Sequence, residues 1–184
     1  MDIPPGQLQT YVISLNPTAP LSPTEVAFSF SGTNTVPVST LPGINTLLLS
    51  ASSSPVPDIV ALAATIDHNG IVIIPAPSGV GAFVVAAVNV GATAVITASA
   101  DTGSASLPVT VALCRTDPAT GVCTSAIGSS VTTAIGSGDT PTFAIFVTGT
   151  GVVAFDPAQN RIFVRFNDAG GIVRGSTSVA VRTR

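Results

Sequence analysis

The sequence predicts an all-β protein made of tandem Ig-like β-sandwich units that share long connecting strands. Three observations predict this fold class. Hydrophobic residues make up 46% of the 184 residues and charged residues only 8%, so material for a core is plentiful. Val, Ile and Thr recur at strand spacing. Turn sequences such as Asn69-Gly70 and Asp168-Ala-Gly-Gly171 separate the candidate strands.

The chain repeats itself three times. The phrase YVISLNPTAP (11–20) returns as VALAATIDHNG (60–70) and as VALCRTDPATG (111–121). Phe28, Phe83 and Phe143 occupy equivalent places, 55 and 60 residues apart. Self-similarity of this period indicates stacked or symmetric β units. A closed three-fold fold, a β-trefoil or a β-prism, is the alternative to the sandwich.

The repeats divide the chain into a first unit with an N-terminal segment (1–57), a second unit (58–106) and a third unit with the two cysteines (107–184). The phrases IVAL, TVAL and SVAV close the three copies, and a closing strand also opens the next copy. The units can therefore merge into one or two sandwich domains.

Alternation and turns place the individual strands. In the second unit the strands are predicted near 58–66, 70–74, 81–88 and 94–100, followed by 105–114. In the last hairpin, Ile162, Val164 and Phe166 alternate with Arg161, Phe163 and Arg165. This pattern predicts one buried face and one exposed face.

Cys114 and Cys123 are the only cysteines, and they flank a turn. A hairpin brings such positions within disulfide range. The alternatives are a two-thiolate metal site, for which the single histidine supplies too few further ligands, or a redox pair, which usually has the tighter C-x-x-C spacing. A disulfide predicts a secreted or periplasmic protein.

Eight of the nine acidic residues are aspartates, which prefer turns. The equivalent turns of the repeats hold Asp67 and Asp117, and likewise Asp101 and Asp168. Asp139, and Asp156 with Asn160, are further candidates. Carboxylates repeated at unit junctions are ligands that Ca²⁺ binds, so they form a weak candidate calcium site beside the plain turn interpretation.

Catalytic signatures are sparse. His68 is the only imidazole, and it lies in a turn, where it is a weak candidate base or ligand. G-x-S-x-G and the P-loop are both absent from the sequence. A calcium-bound water that attacks an ester or lactone is the one enzymatic reaction that the residues support. The sequence leaves enzymatic activity undecided and leans against it.

Charge and composition limit the classes of partner that the protein is expected to bind. Residues 1–160 carry eight acids and one base, which argues against nucleic-acid binding. The uncharged stretch 70–100 is interrupted by Pro and Gly, so it favours buried strands over a transmembrane span. The low charge predicts self-association, either as a homo-oligomer or between neighbouring repeats of a longer chain. No small-molecule ligand is indicated.

The runs LPVTVALCRTDPATGVC and PTFAIFVTGTGVVAFDPAQNRIFVRFNDAGGIVRGSTSVAVRT resemble Ig-like tandem-repeat segments of secreted alphaproteobacterial proteins of uncertain role. The resemblance covers residues 45–184 and implies export and a tandem β architecture, without catalytic residues. The leading hypothesis is an exported structural or adhesive β-sandwich repeat protein, stabilised by calcium if the junction aspartates bind it. The alternative is a small calcium-dependent hydrolase acting on an ester or lactone.

Overall fold

The structure, a computed structural model, describes residues 2–41, 43, 45–75 and 77–184. These residues form eleven strands: β1 (Leu21–Ala27), β2 (Thr46–Ala51), β3 (Ile59–Thr65), β4 (Ile71–Ile74), β5 (Val80–Asn89), β6 (Ala94–Asp101), β7 (Val109–Thr116), β8 (Ser130–Ile135), β9 (Thr142–Gly149), β10 (Arg161–Asp168) and β11 (Val173–Thr183). Within these ranges, no helix is long and apolar enough to cross a membrane.

Strands β3 to β11 form a sandwich of two sheets. One sheet has the order β4-β11-β10-β6-β8 and the other has the order β3-β5-β9-β7. The predicted all-β sandwich is confirmed. The three-fold alternative is wrong, because these strands form two open sheets that pack face to face instead of a closed three-fold barrel or prism.

The second and third repeats build this sandwich together. Each repeat contributes two strands to the four-stranded sheet, in the symmetric order β3-β5-β9-β7. The equivalent strands β5 and β9 pair at its centre, where Phe83 lies opposite Ile145. In the other sheet the equivalent strands β6 and β10 pair in the same way. The predicted boundary at residues 106 and 107 therefore falls inside one sandwich, the merged arrangement that the repeat pattern leaves open.

Strand β11 departs from this symmetry. It lies between β10, with which it pairs antiparallel, and β4, with which it pairs parallel. The parallel ladder joins Ile71 to Ala180 and Ile74 to Thr183. The last strand in the chain is therefore an interior strand of the five-stranded sheet.

Apolar side chains at alternate strand positions fill the space between the two sheets. Phe143 of β9 and Phe166 of β10 are fully buried and meet across the core, edge to face, with ring centroids 5.5 Å apart. Ile162, Val164 and Phe166 point inward as predicted, each with 0% exposure. Burial of such apolar side chains is the main favourable contribution to folding.

Arg161 contradicts the predicted alternation, because it is only 2% exposed. Its Nε donates to Oγ of Ser178 at 3.0 Å and its Nη1 donates to the carbonyl of Pro157 at 2.8 Å. The neighbouring strand β11 and the loop before β10 cover the guanidinium and supply these acceptors. Burial lowers the pKa of Arg161.

The first unit has a different structure from the other two. Strands β1 and β2 form a separate two-stranded antiparallel sheet. Residues 2–20 contain no strand, and Leu8 and Val12 are 95% and 100% exposed. Phe28 lies just after β1 and outside the core, so its predicted equivalence to Phe83 and Phe143 is wrong. A two-stranded hairpin has no second sheet against which to bury that ring.

Candidate functional site

The cysteines form the predicted disulfide. Cys114 lies in β7 and is fully buried, and its Cα is 5.7 Å from that of Cys123. Cys123 forms an isolated bridge opposite Thr116. The disulfide therefore fixes the segment after the turn to the edge of β7. No cysteine is free.

The turn inside this disulfide loop is organised by Asp117. Its Oδ1 accepts hydrogen bonds from the backbone N–H groups of Ala119 at 2.8 Å and Thr120 at 3.0 Å. The N–H groups of Thr120 and Ala119 hold the pKa of Asp117 below its usual range. The carboxylate thus has the role of a turn-forming side chain.

Asp101 and Asp168 hold equivalent positions at the ends of β6 and β10, and both form ion pairs. Asp101 pairs with Arg165, and its Oδ1 accepts from the N–H of Gly103 at 2.6 Å. Asp168 pairs with Arg174 at 2.7 Å through Oδ2. Each carboxylate therefore combines a turn bond with a cross-strand ion pair.

Partial burial of Asp168 is the largest single influence and raises its pKa, but several contacts together outweigh it. The hydrogen bond from Arg174 and those from the N–H groups of Ile172 and Gly170 hold the pKa of Asp168 below its usual range. Oδ1 receives the two backbone bonds, at 3.0 and 2.9 Å, while Oδ2 faces Arg174. Both oxygens are therefore engaged within the protein.

Asp139 and Asp156 also bind their own turns. Oδ2 of Asp139 accepts from the N–H of Gly136 at 2.7 Å. Oδ1 of Asp156 accepts from the N–H groups of Ala158 and Gln159 at 3.1 and 3.2 Å. Asn160 donates from its side chain to the carbonyl of Ala154 at 2.9 Å and offers no carboxylate. These residues shape loops on the surface of the sandwich.

His68 and Asp67 lie in the exposed turn between β3 and β4. His68 has a φ of 53°, in the left-handed region, and its N–H donates to the carbonyl of Thr65 at 3.0 Å. Gly70, with a φ of 73°, completes the turn and donates to Oγ1 of Thr65 at 3.0 Å. The geometry gives His68 a backbone role in this turn.

The structure does not gather these candidates into one site. Across the described residues, no three side chains of His, Cys, Asp or Glu come together in a metal-binding group. The six aspartates lie in six separate turns, and five of them accept backbone hydrogen bonds there. The calcium site, and the hydrolase that depends on it, remain predictions of the sequence.

Two clefts lie between the β1-β2 hairpin and the sandwich. The larger, of about 790 Å³, has Glu25 of β1 and Arg165 and Phe163 of β10 in its walls. The smaller, of about 330 Å³, lies between β2 and the edge formed by β3 and the start of β11. Both clefts are walled mainly by strands and their turns.

The four-stranded sheet has an uncharged outward face, defined here as the outward positions of its four strands. Val60 and Leu62 of β3 and Val84 of β5 are 49%, 71% and 49% exposed. The register extends this face across the sheet with no charged side chain. Its members are Val60, Leu62, Ala64, Val80, Ala82, Val84, Ala86, Val88, Thr110, Ala112, Thr142, Ala144, Phe146 and Thr148, while the outward positions Cys114 and Thr116 of β7 are buried.

The sequence analysis did not identify this face as a site. The runs VGAFVVAAVN and IVALAAT predict strands that are apolar on both sides, which is typical of strands buried on both faces. Here only one side packs on the second sheet, and the other lies on the surface. Continuous apolar strands in a two-layer fold are the signal from which an exposed apolar face can be predicted.

Comparison with known proteins adds little to this picture. No protein-family model matches the chain, and no curated protein matches it. Among solved structures, it is similar to a CARDB domain from Pyrococcus furiosus that was crystallised in complex with di-metal ions. That similarity has a TM-score of 0.35 and 12% identity, and it covers 73% of this chain and 99% of the other.

Proposed function

We propose that this chain is an exported structural or adhesive β-sandwich module. The uncharged face of the four-stranded sheet is the observation that carries the proposal. Contiguous exposed apolar surface is rare on monomeric proteins, and where it occurs it marks an interaction site. Apolar contact needs no specific polar partner, which suits cohesion between modules or adhesion to an apolar surface.

The distribution of charge supports the same role. The ion pairs of the described residues, Arg165 with Asp101 and Arg174 with Asp168, both lie in the five-stranded sheet or its turns. The other sheet presents Val, Ala, Leu, Phe and Thr. Burial of this face against a partner therefore needs no desolvation of a charged group.

The disulfide supports export. A disulfide persists in oxidising compartments and is rare in a reducing cytosol. The Cys114–Cys123 pair, with its Cα–Cα distance of 5.7 Å, closes an exposed turn. The secreted or periplasmic location predicted from the two cysteines is part of this proposal.

The experiment is adsorption of the oxidised protein to an alkane-coated sensor. Val84→Glu places a charge in the middle of the uncharged face, at a position 49% exposed. Val95→Glu is the matched control, because Val95 is a strand valine of the other sheet with 51% exposure. We expect Val84→Glu to reduce adsorption at least about tenfold, since a charge resists transfer to an apolar surface, and Val95→Glu to leave it unchanged.

Equal adsorption of the two variants would show that the face does not mediate adhesion. Weak adsorption of the unsubstituted protein would contradict the adhesive role directly. Thermal unfolding of both variants checks that the sandwich stays intact, since both side chains point away from the core.

A further inference from the structure

Strand β3 is an edge strand with unused hydrogen-bonding groups. It pairs with β5 on one side only. The N–H of Val90 donates to the carbonyl of Asp58 at 2.8 Å, which sets the alternation of the ladder. Residues 60, 62 and 64 therefore bond to β5, and the backbone groups of Ile59, Ala61 and Ala63 point to the other side. Gly175 of β11 packs against the carbonyl of Ile59, which leaves the N–H and C=O groups of Ala61 and Ala63 open.

The opposite edge of the same sheet is protected. There the segment after the disulfide turn covers β7: Gly128 exchanges backbone hydrogen bonds with Leu113, and the N–H of Thr124 donates to the carbonyl of Arg115. At β3 the start of β11 packs against the Ile59 end of the edge, through Gly175. Among the described residues, no segment forms backbone hydrogen bonds to the open side of Ala61 and Ala63. Proteins usually protect an edge strand with charge, proline or a covering segment, and the IVALAAT of β3 has neither charge nor proline.

A groove lies along part of this edge. Its volume is about 330 Å³, and β2, β3 and the start of β11 form its walls. These walls carry three charged side chains, Glu25, Asp58 and Arg174. Strands β2 and β3 both line it, but neither pairs with the other. An extended segment placed here would lie beside two strand edges.

The same chain carries an unpaired segment with the character of a strand. Residues 7–16, QLQTYVISLN, hold no charge and no proline. Leu8, Tyr11, Val12 and Ile13 are 95%, 63%, 100% and 55% exposed. In this part of the described chain, one backbone hydrogen bond is formed, from the N–H of Gln7 to the carbonyl of Pro4. The part that begins at Tyr11 is the repeat equivalent of β3 and β7, which both form strands.

We propose that residues 7–16 of one copy add as a strand to the open edge of β3 in a second copy. Strand addition supplies main-chain hydrogen bonds to the edge and buries alternate side chains. Neither partner strand carries charge, so their pairing places no like charges opposite each other. The inference deepens the proposed structural role by naming the partner, a second copy of this chain.

The geometry of such addition produces chains of molecules. The donor segment and the β3 edge are different surfaces, so each contact is heterologous and each copy keeps one free donor and one free edge. Assembly is therefore open-ended and grows with concentration.

The first test is light scattering of the full chain over a concentration series. The double variant Val12→Pro/Ile13→Pro removes the N–H of two adjacent residues, and adjacent N–H groups in a strand point to opposite sides. One of the two faces β3 in either register. We expect the unsubstituted protein to form chains and the double variant to need at least about tenfold higher concentration. Val36→Pro, at a position 84% exposed, is the control and should assemble normally.

The second test is amide hydrogen exchange of the unsubstituted protein, which depends on no variant folding. We expect the amides of Ala61 and Ala63 to be protected at concentrations where chains form and to exchange rapidly in the monomer. Protection in a monomer at every concentration would show that the chain's own segment occupies the edge, and would overturn the proposal. Chains that form without this protection, or a protein that never assembles, would also overturn it.

These readouts separate this inference from the proposed function. The proline substitutions leave the uncharged face intact, and Val84→Glu leaves the β3 edge intact. Adsorption without chain growth refutes strand addition alone, while chain growth without adsorption refutes the adhesive face alone.

Discussion

Arg174 donates from Nε to Oδ2 of Asp168 at 2.7 Å, and the two side chains are only 11% and 15% exposed. The other ion pair of this sheet, Arg165 with Asp101, is 31% and 47% exposed. The sheet thus holds the same pair of residue types in two environments. Since water screens the exposed pair more strongly, the two pairs are expected to differ in their contribution to stability.

Asp168→Asn is expected to lower the free energy of unfolding by about 1–3 kcal/mol, because it leaves the partly buried charge of Arg174 without its counter-ion. Asp101→Asn is the matched control and should cost less than about 1 kcal/mol, since that pair is more exposed. Urea denaturation of both variants measures the difference. Equal losses of unfolding free energy in the two variants would show that burial does not strengthen the Arg174–Asp168 pair.

The lowered pKa of Asp168 makes stability depend on pH. Since the folded-state pKa is below the unfolded value of about 3.9, the carboxylate contributes stability above that pH and loses it as the pH falls toward the folded pKa. We expect the free energy of unfolding to decrease below about pH 4. The decrease should be smaller in Asp168→Asn, as measured by denaturation at a series of acidic pH values. The same slope in both proteins would show that other carboxyl groups cause it.

The disulfide closes a short loop. Its two cysteines are 9 residues apart, and for a loop of this length the chain-entropy relation gives a stabilisation of about 2–3 kcal/mol. We expect Cys114→Ala/Cys123→Ala to lose about this amount in thermal or urea unfolding. Reducing agent should destabilise the unsubstituted protein and leave the double variant unchanged. A double variant as stable as the oxidised protein would contradict this role.

The calcium hypothesis predicts a change in unfolding temperature. Ca²⁺ at a hundred times its Kd adds about 2.7 kcal/mol to the folded state, which is a shift of several degrees for a chain of this size. The measurement is thermal unfolding with excess EDTA and then with millimolar Ca²⁺. A rise that Asp156→Asn or Asp168→Asn abolishes would identify a ligand and justify a screen for ester and lactone hydrolysis. Identical curves would remove both the calcium site and the hydrolase.

The strands of the sandwich could be predicted from the sequence, because local residue patterns determine where they begin and end. The strands predicted near 58–66, 70–74, 81–88 and 94–100 correspond to β3 to β6. Period-two alternation and turn residues such as Gly70 and Gly103, both with positive φ, set these boundaries. The disulfide between Cys114 and Cys123 was likewise predicted from their spacing alone.

Strand pairing and side-chain exposure were harder to predict from the sequence, because packing between distant parts of the chain determines them. Nothing local in SVAVR shows that β11 inserts between β10 and β4, and nothing local in Arg161 shows that Ser178 will cover it. The segment that begins at Tyr11 resembles β3 and β7 but pairs with no strand in the described part of the chain. Similar sequence therefore gave similar strands only where a sheet was available to receive them.

The interior position of β11 has a consequence for biosynthesis. The parallel ladder of β4 and β11 joins residue 71 to residue 180, so the five-stranded sheet lacks an interior strand until nearly all of the described chain has been synthesised. Until then β4 has no partner in that sheet, and one side of β10 stays open. Such non-local pairing slows folding. A nascent chain of this design can therefore complete its five-stranded sheet only after β11 (Val173–Thr183) has been synthesised.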